Sequence, residues 1–323
     1  MSSATVVPET RDLTGDDARR TLRDCGRRKL IGDAFVRLRV ADGFSHARSL
    51  AYTTSLLLVQ AIIAIVGVAV AFGSGGVSHV IVRTLHAAVP GPGGDLLTRT
   101  VAQANAAGAT HRYGGLAFGL VGSLVTASTT LAQIERAFNR LYGVEQDRPT
   151  LRKYGLATVL AVTAGVFICI AFAALALGES IGTSLHNREA NDAWAVARWP
   201  VSFALITVAV MLLLRHSPRR RQPRLSWLAF GATVSALLWV VVTVALGVFF
   251  SLSSSFGDTY GPLAGVVALL IWSFLAAVAV LLGAAMAAEL EAVRAGVAQP
   301  QDPKKVEHSE PRRARPLDAA RAS

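Results

Sequence analysis

Charge is what this chain has least of. Only 16% of its 323 residues are Asp, Glu, Lys or Arg, whereas a soluble domain carries about 25%. The shortfall falls in blocks of about 20 apolar residues, the length a helix rising 1.5 Å per residue needs to cross about 30 Å of hydrocarbon. That excludes a soluble globular domain. Cysteine is nearly absent as well: Cys25 lies in a basic tail and Cys169 in mid-run, which excludes a disulfide framework and implies no redox role. The seven histidines, His46, His79, His86, His111, His186, His216 and His308, are scattered. His79 and His86 are seven apart and would share a helix face, but no carboxylate or Cys completes a metal set. No His-x-His-x-Asp-His cluster is there to hold the two ions of a processing nuclease. No Gly-rich phosphate loop is present either, which argues against ATP hydrolysis and against any cofactor. No nucleophile stands at believable spacing from a base, so the chain does not read as an enzyme.

What is there is apolar: 52% hydrophobic residues and a mean hydropathy of +0.46. Backbone amides in hydrocarbon have no water partner, so these runs must be helices. Six spans are expected, at Leu50 to Phe72, Gly114 to Ile134, Tyr154 to Leu177, Trp199 to Leu214, Trp227 to Phe250 and Leu263 to Met286. The first lies too far in and is too long for a cleavable signal peptide, so it reads as a retained span. The fold class is therefore all-α: a polytopic membrane protein with six transmembrane helices and an external amphipathic helical segment. Residues 1–48 form a basic cytoplasmic tail, 49–288 the membrane domain and 289–323 a polar cytoplasmic tail. Residues up to about Arg20 read as disordered. After them Ile31, Phe35 and Leu38 at i, i+4 and i+7 among Arg and Lys make a basic amphipathic helix suited to an anionic membrane surface. The connector at residues 73–113 is too long for a plain loop. Val77, Val80, Ile81, Leu85 and Ala88 stripe one face of a helix there, a second short helix follows from Asp95, and the whole reads as a cap over the bundle. Trp199, Trp227 and Tyr113 sit at span ends, where amphipathic rings anchor at the interface.

With the N-terminus cytoplasmic, 27 of the 32 basic residues fall on the cytoplasmic side. That split favours both termini inside. Net charge of +11 is thus explained by connectors, with no separate basic domain to bind nucleic acid. Leu116-Ala117-Phe118-Gly119 recurs as Leu228-Ala229-Phe230-Gly231, a faint hint of an inverted repeat. Gly115, Gly119 and Gly122, like Gly261 and Gly265, read as small-residue packing faces.

The stretch from Gly114 to Lys153 joins an apolar span to a charged run. Its segment Glu135-Arg136-Ala137-Phe138-Asn139-Arg140-Leu141-Tyr142-Gly143-Val144-Glu145, followed by Arg148, resembles the Asn-Arg-Ile-Trp/Tyr-Gly-Val-Glu-x-x-Arg stretch of the YihY/BrkB family of bacterial inner-membrane proteins, long labelled ribonuclease-BN-like. Ser49 to Thr54 is similar to the start of that family's first span. Tyr260 to Gly265, with Trp272 and Leu282-Gly283-Ala284, resembles its last helix. The resemblance implies six membrane helices and a role in transport, of lipidic or envelope material, or in resistance and virulence. Two departures stand out: Gln60 replaces a nearby family Pro, and Ala285 stands where the family commonly has Glu, which removes a candidate for proton coupling. Glu289, one turn on, is a partial substitute.

Ionisable groups in a bilayer are costly and mark function by default, and this chain has almost none at mid-span. Tyr52, Thr54 and Gln60 are the candidate intramembrane polar groups, for function or for interhelical hydrogen bonds. Glu135, Arg136, Asn139, Arg140 and Arg148 are the candidate gate or headgroup clamp, because Arg forks match phosphate oxygens. The plain alternative is a solvated helix end obeying the charge rule. The expected partners are anionic membrane lipids. The reading is a transporter or lipid-handling protein; the alternative is a non-transporting scaffold that binds an envelope protein through residues 73–113. The oligomeric state stays open.

Overall fold

The computed structural model describes residues 4–71, 77–110, 112–176, 188–253, 255–297 and 300. Among these residues the chain is helical and has no strand. Six helices are long and apolar enough to cross a membrane: α3 (Gly43–Ala71), α6 (Arg112–Leu141), α7 (Thr150–Ala176), α8 (Arg188–His216), α9 (Leu225–Leu252) and α11 (Ala264–Arg294). The expected all-α polytopic fold is what the chain adopts. The remaining elements are α1 (Gly15–Cys25), α2 (Arg27–Val40), α4 (Val77–Ala88), α5 (Pro92–Thr110), the short α10 (Ser255–Tyr260) and a 3-10 turn at Gly261–Leu263.

Small residues set how closely the spans pack. A Cβ on Gly119 of α6 would lie 2.5 Å from the Ala64 nitrogen of α3, and one on Gly231 of α9 would lie 2.8 Å from the Gly283 oxygen of α11. The two Leu-Ala-Phe-Gly copies thus do the same job, letting backbones touch where lipid gives no hydrophobic drive to associate. Lipid-facing surfaces carry the apolar excess: Val121, Val162, Val241 and Val244 are all more than half exposed.

One end of the bundle, here the basal face, gathers the N-terminal segment, α1, α2, the α6–α7 and α8–α9 connectors and the last turns of α11. Disorder up to Arg20 is not what the structure has. Ala4 and Val7 donate backbone hydrogen bonds to the carbonyls of Arg140 and Tyr142, and α1 begins at Gly15, where the Asp17 carboxylate accepts from both the N–H and the hydroxyl of Thr14. Those two bonds hold the Asp17 carboxyl below its usual value. In α2 the expected stripe divides. Leu30, Ala34 and Leu38 pack inward, while Ile31 and Phe35 are about half exposed. α11 also runs past 288 to Arg294 and buries Glu289 and Glu291.

The connector between α3 and α6 is no cap over the helix ends. Leu97 and Val101 of α5 share a core with Ile62 and Val66 of α3, Leu246 of α9, and Leu269 and Trp272 of α11. Ile62 and Trp272 lie about 13 Å inside the ends of their helices at 1.5 Å per residue. Of the expected stripe, Ile81, Leu85 and Ala88 are buried as predicted. The side chains of Val77, Val80, His79 and His86, residues 72–76, the side chain of Tyr113 and the tail beyond 300 lie outside the described residues. Trp227 departs from its expected interfacial place: it is 0% exposed, inside the basal core.

Candidate functional site

The basal end of α6 carries the sequence motif. Because α6 continues to Leu141, Glu135 and Asn139 share one face at i, i+4. That face points inward: Glu135 and Asn139 are buried, whereas the Arg136 side chain is 48% exposed. The helix stops in a Schellman turn. Gly143 donates to the Arg140 carbonyl and Val144 to that of Asn139 at 2.8 Å, with Gly143 left-handed at φ +75°.

The turn brings Asp147 and Arg148 back over the helix end. Arg148 pairs with Glu135 at 3.2 Å and donates to the carbonyls of Ser217 at 2.5 Å, Pro218 at 2.8 Å and His216 at 3.2 Å. Asp147 is the second hub. Its carboxylate accepts from Lys153 at 2.8 Å, Asn139 at 3.0 Å and Arg136 at 3.3 Å. The Asn139 oxygen in turn accepts the Arg219 backbone N–H at 2.8 Å, so one amide ties the α6–α7 connector to the α8–α9 connector. Burial works against the Asp147 charge, but the bonds from Lys153 and Asn139 and the charge of Lys153 outweigh it and hold the carboxyl below the usual range. The lowered value means that this group's contribution to stability is complete above the ordinary carboxylate range. It is lost only as pH falls through the lowered value.

A second layer lies over the first. Arg37 and Glu289 meet at 2.6 Å with side chains 0% and 1% exposed, and Arg37 also donates to the carbonyls of Leu141 and Thr5. Arg220 and Glu291 meet at 2.6 Å, again buried. Thr10 donates its hydroxyl to Glu291, Arg220 donates to the Pro8 carbonyl, and the guanidinium stacks over the Tyr142 ring at 4.5 Å. Burial, and then the charge of Glu291, pushes the Tyr142 phenol far above its usual value, so it stays neutral. The N-terminal segment is thereby strapped across α6 and α11.

The structure gathers Glu135, Arg136, Asn139 and Arg148 into one network. Arg140, half-buried beside it, lends its carbonyl to the strap. Sequence reading missed Arg37, Asp147, Lys153, Arg219, Arg220 and Glu291. One signal was visible: two carboxylates ending an otherwise apolar helix demand partners. Glu289, the expected partial substitute for the missing family Glu, is buried in an ion pair with Arg37. Ala285 itself is 0% exposed in an apolar core.

The intramembrane candidates separate. Gln60 accepts a 2.5 Å hydrogen bond from Thr126 across α3 and α6. Tyr52 is 61% exposed on the outer surface of α3, and Thr54 is half-buried. Ser55 bonds Ser273, Ser128 bonds Thr158, and Ser202 bonds the Ala171 carbonyl. These pairs join helices two at a time. No group of three or more His, Cys, Asp or Glu able to hold a metal ion exists among the described residues.

Away from the basal face, a cavity of about 610 Å³ opens between α7, α8 and α9. Phe172, Phe203, Ile206 and Trp239 line it, with Arg83 of α4 and Arg198 of α8. Trp199, Val240 and Val244, also on its lining, are exposed, so the cavity opens sideways on the lipid-facing surface. Edge-to-face contacts of Trp239 with Phe172 at 6.3 Å and Trp272 at 6.4 Å hold its inner wall.

The family profile described as Virulence factor BrkB matches residues 34–309. The chain belongs to the BrkB family. Among relatives of this BrkB protein, the ribonuclease-like protein YfkH of Bacillus subtilis is 28% identical over 180 residues, covering 54% of this chain and 65% of YfkH. A UPF0761 membrane protein of Xanthomonas campestris pv. campestris is 28% identical over 286 residues, covering 84% of this chain and 63% of its own. The chain thus spans a little under two thirds of the length of these relatives. No solved structure matches it.

Proposed function

We propose that this BrkB protein handles a membrane-resident amphiphile, a lipid or envelope component, and moves it between leaflets. The lateral cleft carries this reading. It is large enough for a ligand, since binding pockets run about 300–1,000 Å³, it is walled by apolar side chains, and it opens where lipid would enter. Gln60, Ser55, Ser128 and Ser202 of the spans are spent in interhelical bonds, an arrangement suited to cargo sliding along the bundle rather than through a wet pore. In the proposed inner-membrane orientation the basal face is cytoplasmic, and its network of Glu135, Arg136, Asn139, Asp147 and Arg148 is the closed cytoplasmic gate. Exposed Ile31 and Phe35, with the basic residues around them, rest on the anionic inner leaflet. A scaffold role through residues 73–113 has less support, because that hairpin buries its apolar stripe within the bundle. Hydrolytic chemistry has no place in this reading, and the ribonuclease-like name stays with YfkH.

The test is lipid movement in proteoliposomes, read as protection of fluorescent phospholipid from an external quencher. Reconstituted protein is expected to speed equilibration between leaflets over protein-free vesicles. Val240→Trp, which narrows the cleft at an exposed position, is expected to slow it severalfold without loss of folded protein. Equilibration no faster than in empty vesicles would sink the transport reading.

A further inference from the structure

The cleft has a polarity along its length. Arg198 to Ile206 on α8 and Ala236 to Val244 on α9 each rise about 12 Å at 1.5 Å per residue, close to half of a 30 Å hydrocarbon core. Arg198 stands at the end near the start of α8, away from the basal face, and Arg83 reaches the cleft from α4. No Asp or Glu is among the described lining residues. Arg198 Nε is buried with no hydrogen-bond partner among the described residues, and the guanidinium lies 6.0 Å from the Trp199 ring. Close to the same end Trp272 donates to Thr243 at 3.2 Å and Ser202 to the Ala171 carbonyl at 2.8 Å, which satisfies both hydroxyls of the lining. A guanidinium with an unpartnered Nε at one end and about one leaflet's depth of apolar wall below it describe a charged head on a chain.

We propose that the cleft is a binding site for an anionic glycerophospholipid of the outer leaflet, with its phosphate on Arg198 and one acyl chain laid along Phe203, Ile206 and Trp239. The inference rests on the lipid-handling reading and its orientation, and it adds the headgroup. Guanidinium forks match phosphate oxygens, and bonds to charged groups are the stronger ones. Arg198 therefore favours net negative charge, not merely a lipid tail.

Brominated lipids quench tryptophan on contact. In full-length protein carrying Trp199→Phe, the difference between this variant and Trp199→Phe/Trp239→Phe reads Trp239 alone. In phosphatidylcholine vesicles, acyl-brominated phosphatidylglycerol is expected to quench Trp239 at about tenfold lower mole fraction than acyl-brominated phosphatidylcholine. Adding Arg198→Gln is expected to erase that preference, while quenching by phosphatidylcholine, weakened but still present, reports that the cleft is intact. Equal quenching by the two lipids before the substitution, or a preference that survives it, overturns the headgroup site and leaves the lipid-handling reading standing. Absence of Trp239 quenching by either lipid shows that no chain enters the cleft, and both then fall.

Discussion

Glu289 and Arg37 sit 2.6 Å apart at the end of the last span, out of contact with solvent. Burying two ions costs several kcal/mol each, and mutual attraction recovers this only when the remaining hydrogen-bond capacity is also filled. Arg37 meets that condition by reaching the Leu141 and Thr5 carbonyls as well. Removing one partner strands the other, so Arg37→Met is expected to destabilise the protein by about 3–5 kcal/mol. In Arg37→Met/Glu289→Leu no charge is left stranded. The double variant should unfold at a higher temperature in detergent micelles than the single one, although both leave two carbonyls unpaired. Equal unfolding temperatures for single and double variants would show that the pair is uncoupled. The same reasoning bears on Ala285: a lone carboxylate there would face an apolar core, so what acid chemistry this helix end has lies further along, already neutralised by arginine.

Among the elements, the N-terminal strap depends on one backbone position. Gly143 turns at φ +75°, and a Cβ there would lie 2.6 Å from the Val6 Cα and 2.8 Å from the Ala4 oxygen. Gly143→Ala adds about 1–2 kcal/mol of left-handed strain to that clash with backbone, which has no flexible end to yield. The strap is expected to detach first, so hydrogen exchange at the Val7 amide should accelerate while that of mid-α9 amides holds. Unchanged Val7 exchange would mean that the segment is held by something other than this turn. The strap was illegible in sequence because its anchors are backbone groups, and a polar opening stretch carries the same composition whether ordered or not. The six spans were legible because apolar length alone decides them. The motif at Glu135 to Arg148 marked residues that meet in one network, but gave no sign of the layer over it: Arg37 and Glu289 are 252 positions apart, and nothing local says they meet. For the α4–α5 hairpin the apolar stripe was visible, yet the stripe could not say whether it lay over the bundle or within it.

For the whole molecule the open quantity is orientation, and the basal network changes how the charge count is weighed. Several of the 27 basic residues counted for the cytoplasmic side, Arg37, Arg148, Arg219 and Arg220 among them, are committed to carboxylates and carbonyls of the folded protein. Topology, however, follows Lys and Arg near the span ends, with acidic residues contributing little. The count therefore keeps its force even where the cations end up paired, and it is the ground for proposing that the basal face is cytoplasmic. Two exposed positions at opposite ends of the bundle make this measurable: Leu151, 90% exposed at the start of α7, and Leu263, 64% exposed just before α11. On a Cys25→Ala/Cys169→Ala background, Leu263→Cys is expected to react with a membrane-impermeant maleimide in intact spheroplasts. Leu151→Cys is expected to react only after the membrane is opened. The reverse pattern would invert the molecule, put the strap and its ion pairs outside, and move the Arg198 end of the cleft to the inner leaflet. The lipid proposed for that cleft would then have to come from the cytoplasmic side.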